Sequence, residues 1–224
     1  MKIGVIQASS QRDKNELLYR LTAGAAAGSG ETVNLGCFPE ERETYSYVDI
    51  ALEISLLLSA GAVDLIVTGC SSGQGMMLAC NSLPGVLCGY VQNPQDAFLF
   101  GRINGGNAVS LPLGLNYGWA GELNLQYTLE KLFSGPFGTG YPPGDAVRKQ
   151  RDAERVKALG HLTKRSAIEV WRSLDKGTVR RALSRRPVVE YMLSHGTDTE
   201  LTGWVRSFCA GSGDAAAVTI QERR

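Results

Sequence analysis

No apolar run in this 224-residue chain approaches membrane-spanning length. The Met-Lys-Ile start leads into a strand pattern without the apolar centre of a signal peptide. A membrane partner is therefore not expected, and a cytoplasmic location is. Charge of one sign is also missing: 23 Lys and Arg stand against 22 Asp and Glu, a net charge of +1, which implies neither nucleic acid nor membrane. Histidine is scarce, with only His161 and His195, both late in the chain. Histidine chemistry in the first half needs one of them to fold back or to come from another subunit. Cys37, Cys70, Cys80, Cys88 and Cys209 are odd in number and scattered, without C-x-x-C spacing. That pattern indicates neither a disulfide framework nor a zinc site, so reduced thiols are the default. The chain has no Gly-Lys-Ser/Thr phosphate loop, no G-x-G-x-x-G fingerprint with a later ribose-binding acid, and no internal repeat. No cofactor and no metal are expected.

What is present alternates. Lys2–Gln7 reads as a strand, and a polar loop over Ala8–Asp13 leads to a helix through about Ala27 with Leu17, Leu18 and Leu21 on its apolar face. Thr32–Leu35 reads as a second strand, followed by an acidic loop to Thr44 and a helix over 47–60 that Gly61 closes. Leu65, Ile66 and Val67 form a third strand and Met76–Cys80 a helix. Gly85–Gly89, a helix from Asn93-Pro94 to Phe100, and a strand at Ala108–Leu111 follow. This alternation predicts an α/β fold, a parallel sheet covered on both faces. Ligands of such sheets bind beyond the carboxyl ends of the strands, which gathers the loops at 8–12, 70–75 and 104–107 around one crevice. A helix over Gly121–Phe133 precedes a Gly/Pro-rich linker, Ser134–Gly144, the clearest boundary in the chain. The expected division is 1–144 as the α/β domain and 145–224 as a helical C-terminal extension. Between Asp145 and Arg186 the extension is basic, with thirteen Lys/Arg against five Asp/Glu. Pro187 is expected to separate it from a short helical segment containing Tyr191 and Trp204, and the Ala-rich tail after Gly211 reads as disordered.

The stretch DLIVTGCSSGQGMMLACNS, from Asp64 to Ser82, carries the chemistry. A strand–loop–helix turn aims backbone N–H groups at one point, and the helix dipole favours negative charge there. Cys70 opens that turn and is the leading candidate for a reactive thiol. Cys80 and Cys88 sit in apolar contexts and read as small buried hydrophobes, and Met76-Met77 as core packing. Taken alone, Ser71, Ser72, Gly73 and Gly75 are either an ordinary loop or an anion cradle. Arg151 and Arg155, four apart on a helix, are either a phosphate clamp or a solvated basic face.

The order and spacing of KIGVIQ, TYSYVDIA, DLIV with CSSGQG and ACN, PG-V, NPQDAFLFGRINGGN and RDAERVKAL resemble the ribose-5-phosphate isomerase type B / galactose-6-phosphate isomerase family. The likeness covers roughly the first 160 residues. It implies a three-layer α/β/α sandwich with a five-stranded parallel Rossmann-like sheet, no metal, and a homodimer or homotetramer with the active site at the subunit interface. It further implies an aldose–ketose isomerase that interconverts phosphorylated sugars through a cis-enediolate, such as ribose 5-phosphate and ribulose 5-phosphate, or galactose 6-phosphate and tagatose 6-phosphate. Matched position by position, Cys70 takes the role of the base and Ser72 that of the proton helper, while Ser71, Gly73, Gln74 and Gly75 complete the enediolate anion hole. Ser9, Tyr47 and Asn104 fall on substrate-binding positions, and Arg151 and Arg155 on phosphate-binding ones. The family's Asp-His pair falls on Ala8-Ser9, and its ring-opening histidine on Ile103. A third phosphate-binding arginine is lost where the segment around Leu113–Trp119 carries a short insertion. These departures point toward an open-chain substrate, such as a tetrose or ketose phosphate. The alternative is a non-catalytic or regulatory member that binds a sugar phosphate without converting it. Nucleic-acid binding by Arg148–Arg186 is a weaker reading.

Overall fold

A computed structural model describes residues 1–211, so the expected disorder after Gly211 lies outside the described residues. Five strands, β1 (Lys2–Val5), β2 (Glu31–Asn34), β3 (Leu65–Cys70), β4 (Cys88–Tyr90) and β5 (Ala108–Pro112), form one all-parallel sheet in the order β2-β1-β3-β5-β4. Successive side chains of a strand point to opposite faces, and the sequence uses both. Ile3, Val5, Leu65, Val67, Val109 and Leu111 pack on one side, under α1 (Asn15–Ala26), α4 (Pro94–Leu99) and α5 (Gly121–Leu132). Ile6, Ile66 and Ala108 pack on the other, under α2 (Tyr47–Ser59) and α3 (Gln74–Asn81).

Parallel crossovers are right-handed, so a chain that steps outward from β1 to β2 and then inward past β1 to β3 must put α1 and α2 on opposite faces. The loops leaving β1 and β3 then diverge, and a crevice opens between them at the carboxyl edge. Ser46 anchors the start of α2 in a capping box with Asp49.

Beyond α5 the chain differs from its expected outline in three places. The Gly/Pro-rich linker is pinned: buried Arg102, in the turn of π-helix over Phe100–Asn104, donates to the Pro136 carbonyl, and the N–H groups of Gly138 and Gly140 donate to the carbonyls of Gly101 and Arg102. The basic stretch is three helices, α6 (Ala146–Thr163), α7 (Ala167–Ser173) and α8 (Lys176–Ala182). Ser166 and Asp175 restart it as N-caps of the last two. The terminal segment is two helices, α9 (Arg186–His195) and α10 (Thr199–Gly211), with Pro187 inside the first turn of α9, where its missing N–H costs nothing. Trp171, Val179, Val188, Met192, Leu201 and Val205 join the apolar cluster of α2, so these helices pack against α2 and bury it. Among the described residues no helix is long and apolar enough to cross a membrane.

The extension meets the α/β layer through an ion cluster. Arg185, 3% exposed, donates to Glu53 Oε2 at 2.7 Å, to both carboxylate oxygens of Glu41 at 2.9 and 3.1 Å, and to the Leu35 carbonyl at 2.6 Å. One guanidinium thus serves two carboxylates. Burial pushes the Glu53 carboxyl up to about 8 against the pull of Arg185. Burial opposes the charge of Glu41 as well, but the hydrogen bonds from Arg185 and the Phe38 N–H outweigh it and hold that carboxyl below the usual range.

For Glu53 the folded protein binds the proton more tightly than the unfolded chain, whose carboxyl titrates near 4.5. Its contribution to stability is therefore complete below that pH and is lost as pH rises through about 8. Urea unfolding between pH 5 and pH 8 should show the wild type losing stability relative to Glu53→Gln, by roughly 1.4 kcal/mol per pH unit at most. A constant difference would mean that Glu53 stays ionised throughout.

Candidate active site

Cys70 is the last residue of β3, paired in register with Pro112 of β5, and is 7% exposed. The turn that follows is shorter than the sequence suggests. Only Ser71, Ser72 and Gly73 lie between strand and helix, and Gln74 and Gly75, expected in the loop, form the first turn of α3. Gly73 makes this tight turn possible. It has φ +76°, and a Cβ there would lie 2.7 Å from the Tyr90 ring and 2.9 Å from the backbone of Leu111 and Pro112. The turn aims the Gly73 N–H at Cys70 Sγ, 3.2 Å away, and the Gln74 N–H at Ser72 Oγ, 3.3 Å away. Two of the N–H groups expected to hold an anion are thus occupied by the turn's own side chains. Those of Ser71, Ser72 and Gly75 have no partner among the described residues.

These groups face a cleft of about 540 Å³ between the loop after β1, the start of α2 and the Cys70 turn. Ser9, Tyr47, Cys70, Ser71, Ser72 and Gly75 all line it. Tyr47, in the first turn of α2, lays its ring over Gly75, close enough that a Cβ there would touch it at 3.4 Å. Ser9 lies in the wall, but its hydroxyl points inward, donating to Cys37 Sγ at 3.2 Å and accepting the Tyr45 N–H at 2.8 Å. The same packing pushes the Cys37 thiol up, chiefly through burial.

Sequence reasoning named the loop after β1 but not the side chains that matter in it. Ser10 accepts from Ser71 Oγ at 3.4 Å, and Gln11 donates to Ser71 Oγ at 3.0 Å while accepting from Lys14 at 3.2 Å. Arg12 stands in the cleft wall and ties the loop over 41–44 to the β1 loop.

The remaining expected residues lie elsewhere in the chain. Asn104 borders a separate cleft of about 560 Å³ with Ile103, Cys88 and the α6 residues Lys149, Asp152 and Val156. Arg151 and Arg155 are exposed on α6. One copy of the chain brings Cys70, Ser72, Ser9 and Tyr47 together and leaves Asn104, Arg151 and Arg155 outside their cleft. Among the described residues no group of three His, Cys, Asp or Glu is placed to hold a metal.

The Ribose/Galactose Isomerase family model matches residues 7–129, more than half of the chain. No curated protein sequence matches. A solved structure of a 4-deoxy-L-threo-5-hexosulose-uronate ketol-isomerase complexed with a tartrate is 37% identical over 94% of this chain and 100% of its own, with a TM-score of 0.89. Ribose-5-phosphate isomerase LacAB_rpiB from Vibrio parahaemolyticus is also 37% identical, over 93% of this chain and 99% of its own, with a TM-score of 0.87. The type B ribose 5-phosphate isomerase from Trypanosoma cruzi has the same fold at 20% identity, covering 72% of this chain and 99% of its own, with a TM-score of 0.60. The matches at 37% identity must include most of α6–α10, because they leave so little of the chain uncovered. With its parallel sheet, its Cys70 turn and these matches, the chain belongs to the Ribose/Galactose Isomerase family of sugar-phosphate isomerases and is an aldose–ketose isomerase.

Proposed function

We propose that the protein isomerises an open-chain, anionic sugar through a cis-enediolate, with Cys70 as the base. The observation that carries this reading is what one chain supplies to the Cys70 cleft among the described residues: a thiol, hydroxyls and one arginine, with no histidine or carboxylate in the lining. Opening a sugar ring needs an acid–base group at the ring oxygen. His161 borders a different pocket, beside Gly85 and Lys164, and His195 stacks on Tyr191. A 4-deoxy-5-hexosulose uronate, the compound in the name of one relative, requires no such group. It has a ketone at C5 and no hydroxyl at C4, so neither hydroxyl that closes a five- or six-membered ring onto C1 is present. A uronate of this kind is the substrate class that fits best.

In this mechanism the Cys70 thiolate removes the proton from C2, and the electron pair forms the C1–C2 double bond as the aldehyde oxygen takes the charge. The Ser72 hydroxyl moves a proton between the two oxygens, and the thiol, whose S–H exchanges with solvent while the enediolate persists, delivers a proton to C1, so there is no net gain or loss of protons. The N–H groups of Ser71, Ser72 and Gly75 stabilise the enediolate oxygens. A second reading, a phosphorylated sugar of the ribose 5-phosphate or galactose 6-phosphate type, is favoured by Arg151 and Arg155, which carry no ion pair among the described residues, and by the name of the Vibrio relative.

Under either reading the working unit is a homodimer or homotetramer, because Asn104, Arg151 and Arg155 lie outside the Cys70 cleft of their own chain. The division into an isomerase domain over 1–144 and an extension from 145 belongs to the same reading, with α6 carrying the two arginines. Five free thiols favour a reducing compartment such as the cytoplasm.

Cys70→Ala should retain the wild-type melting temperature and lose about 10²- to 10⁴-fold in kcat on the best substrate from a panel of deoxyuronates and tetrose, pentose and hexose phosphates. Near-normal turnover would remove Cys70 as the base. Mixing inactive Cys70→Ala with inactive Asn104→Ala/Arg151→Ala protein under conditions of subunit exchange should restore about a quarter of wild-type activity, since each mixed dimer regains one intact site. No recovery from a demonstrably mixed dimer would place the complete site within one chain.

A further inference from the structure

We propose that Arg12 is the specificity-determining residue that binds the substrate's carboxylate, its charge left available because two arginines of the C-terminal extension engage the acids of the loop it holds. The proposal rests on the reading of the protein as an isomerase of acidic, open-chain sugars.

Arg12 follows β1 and borders the same cleft as Cys70 and Ser72. Its guanidinium donates to the carbonyls of Ser9, Glu41 and Glu43 and to Thr44 Oγ. All four partners are neutral, and they fix the plane of the guanidinium without cancelling its charge. Four of its five N–H groups are used, and the fifth, on Nη1, remains. No carboxylate lies within ion-pair distance of Arg12 among the described residues, although the chain around it is acidic.

Four of those acids, Glu41, Glu43, Asp13 and Asp49, are engaged elsewhere. The Glu41 carboxylate takes Arg185 at 2.9 Å, Glu43 takes Arg181 at 3.1 Å, and Asp13 takes Lys14 at 3.3 Å. Asp49 is occupied by the cap of α2, with Arg181 at 3.8 Å. Arg181 also lies over the Tyr45 ring, 4.3 Å from its centroid, and donates to the Thr44 carbonyl. The extension thus engages the Glu41 side chain on buried Arg185 and the Glu43 side chain on Arg181, while the carbonyls of both residues accept from Arg12. A guanidinium in the cleft wall that is held by neutral partners and has no acid within ion-pair distance can receive a carboxylate, and its planar fork suits that group.

The test compares the uronate with its methyl ester, which has the same carbon skeleton without the charge. Wild type should favour the acid by about ten- to a hundredfold in kcat/KM, and Arg12→Gln should cut that ratio to about threefold or less by raising KM for the acid. A role confined to loop support would depress acid and ester alike and leave the ratio unchanged, which would overturn the proposal. Should Arg12→Gln fail to fold, Arg12→Lys keeps the charge without the fork and should lower the ratio severalfold; an unchanged ratio again overturns it.

If the wild type turns over neither compound, the functional reading fails and Arg12 is judged by calorimetry with tartrate. Wild type should bind tartrate at least about tenfold more tightly than Arg12→Gln. Equal affinities, or no binding to the wild type, would overturn the assignment.

Discussion

The chain winds outward from β1 and inward to β3, and the site depends on that reversal. Because right-handed crossovers place α1 and α2 on opposite faces, the loops leaving β1 and β3 part at the carboxyl edge instead of packing together. The opening is floored by the last residue of β3, Cys70, and closed on one side by the start of α2, where Ser46 and Tyr47 sit. Gly73 then completes the geometry. Its left-handed backbone turns the chain at once into α3, so that its N–H meets the sulfur and the next two serine hydroxyls stay in the cleft. Nothing larger than glycine fits against Tyr90 and Leu111, so the direction of the thiol is set by backbone packing.

The helices beyond residue 145 play two parts in this arrangement. As apolar packing they cover α2 through Trp171, Val188 and Met192. As a source of cations they organise the loop between β2 and α2, with Arg185 buried between Glu41 and Glu53 and Arg181 outside it on Glu43. Removing Arg185 leaves Glu41 without its cation and Glu53 without its donor, so this loop depends on the one guanidinium. The loop carries Tyr45, whose backbone exchanges hydrogen bonds with Ser9. Through that contact the extension positions the wall of the cleft without entering it.

The local features of the site were legible in the sequence because their causes are local. The apolar run before Cys70, the glycines after it and the alternation of strands and helices sufficed to predict a parallel sheet and a turn carrying Cys70, Ser71 and Ser72 at its carboxyl edge. The length of the turn was overestimated, since nothing within CSSGQG distinguishes a loop glycine from one in the first turn of a helix. Pairings made across the chain were not legible. Ser9 turns away from the cleft because it meets Cys37, 28 residues on, and Arg185 reaches Glu53 from 132 residues away. Arg12 looked like one more charge in a polar loop, and only the folded chain shows which arginines the neighbouring acids take. The basic composition of 145–186 likewise suggested a single charged stretch, whereas some of its arginines are committed to acids of the α/β layer and others, on α6, stay exposed.

In the proposed reaction a thiol at the end of β3 moves a proton between adjacent carbons. This step is tested most directly by running the reaction in deuterium oxide and reading the product by NMR. The account predicts solvent deuterium on the product carbon that receives the proton, with incorporation abolished in Cys70→Ala. Product formed at the normal rate with the substrate's own hydrogen fully retained, as in a direct hydride shift, would contradict it.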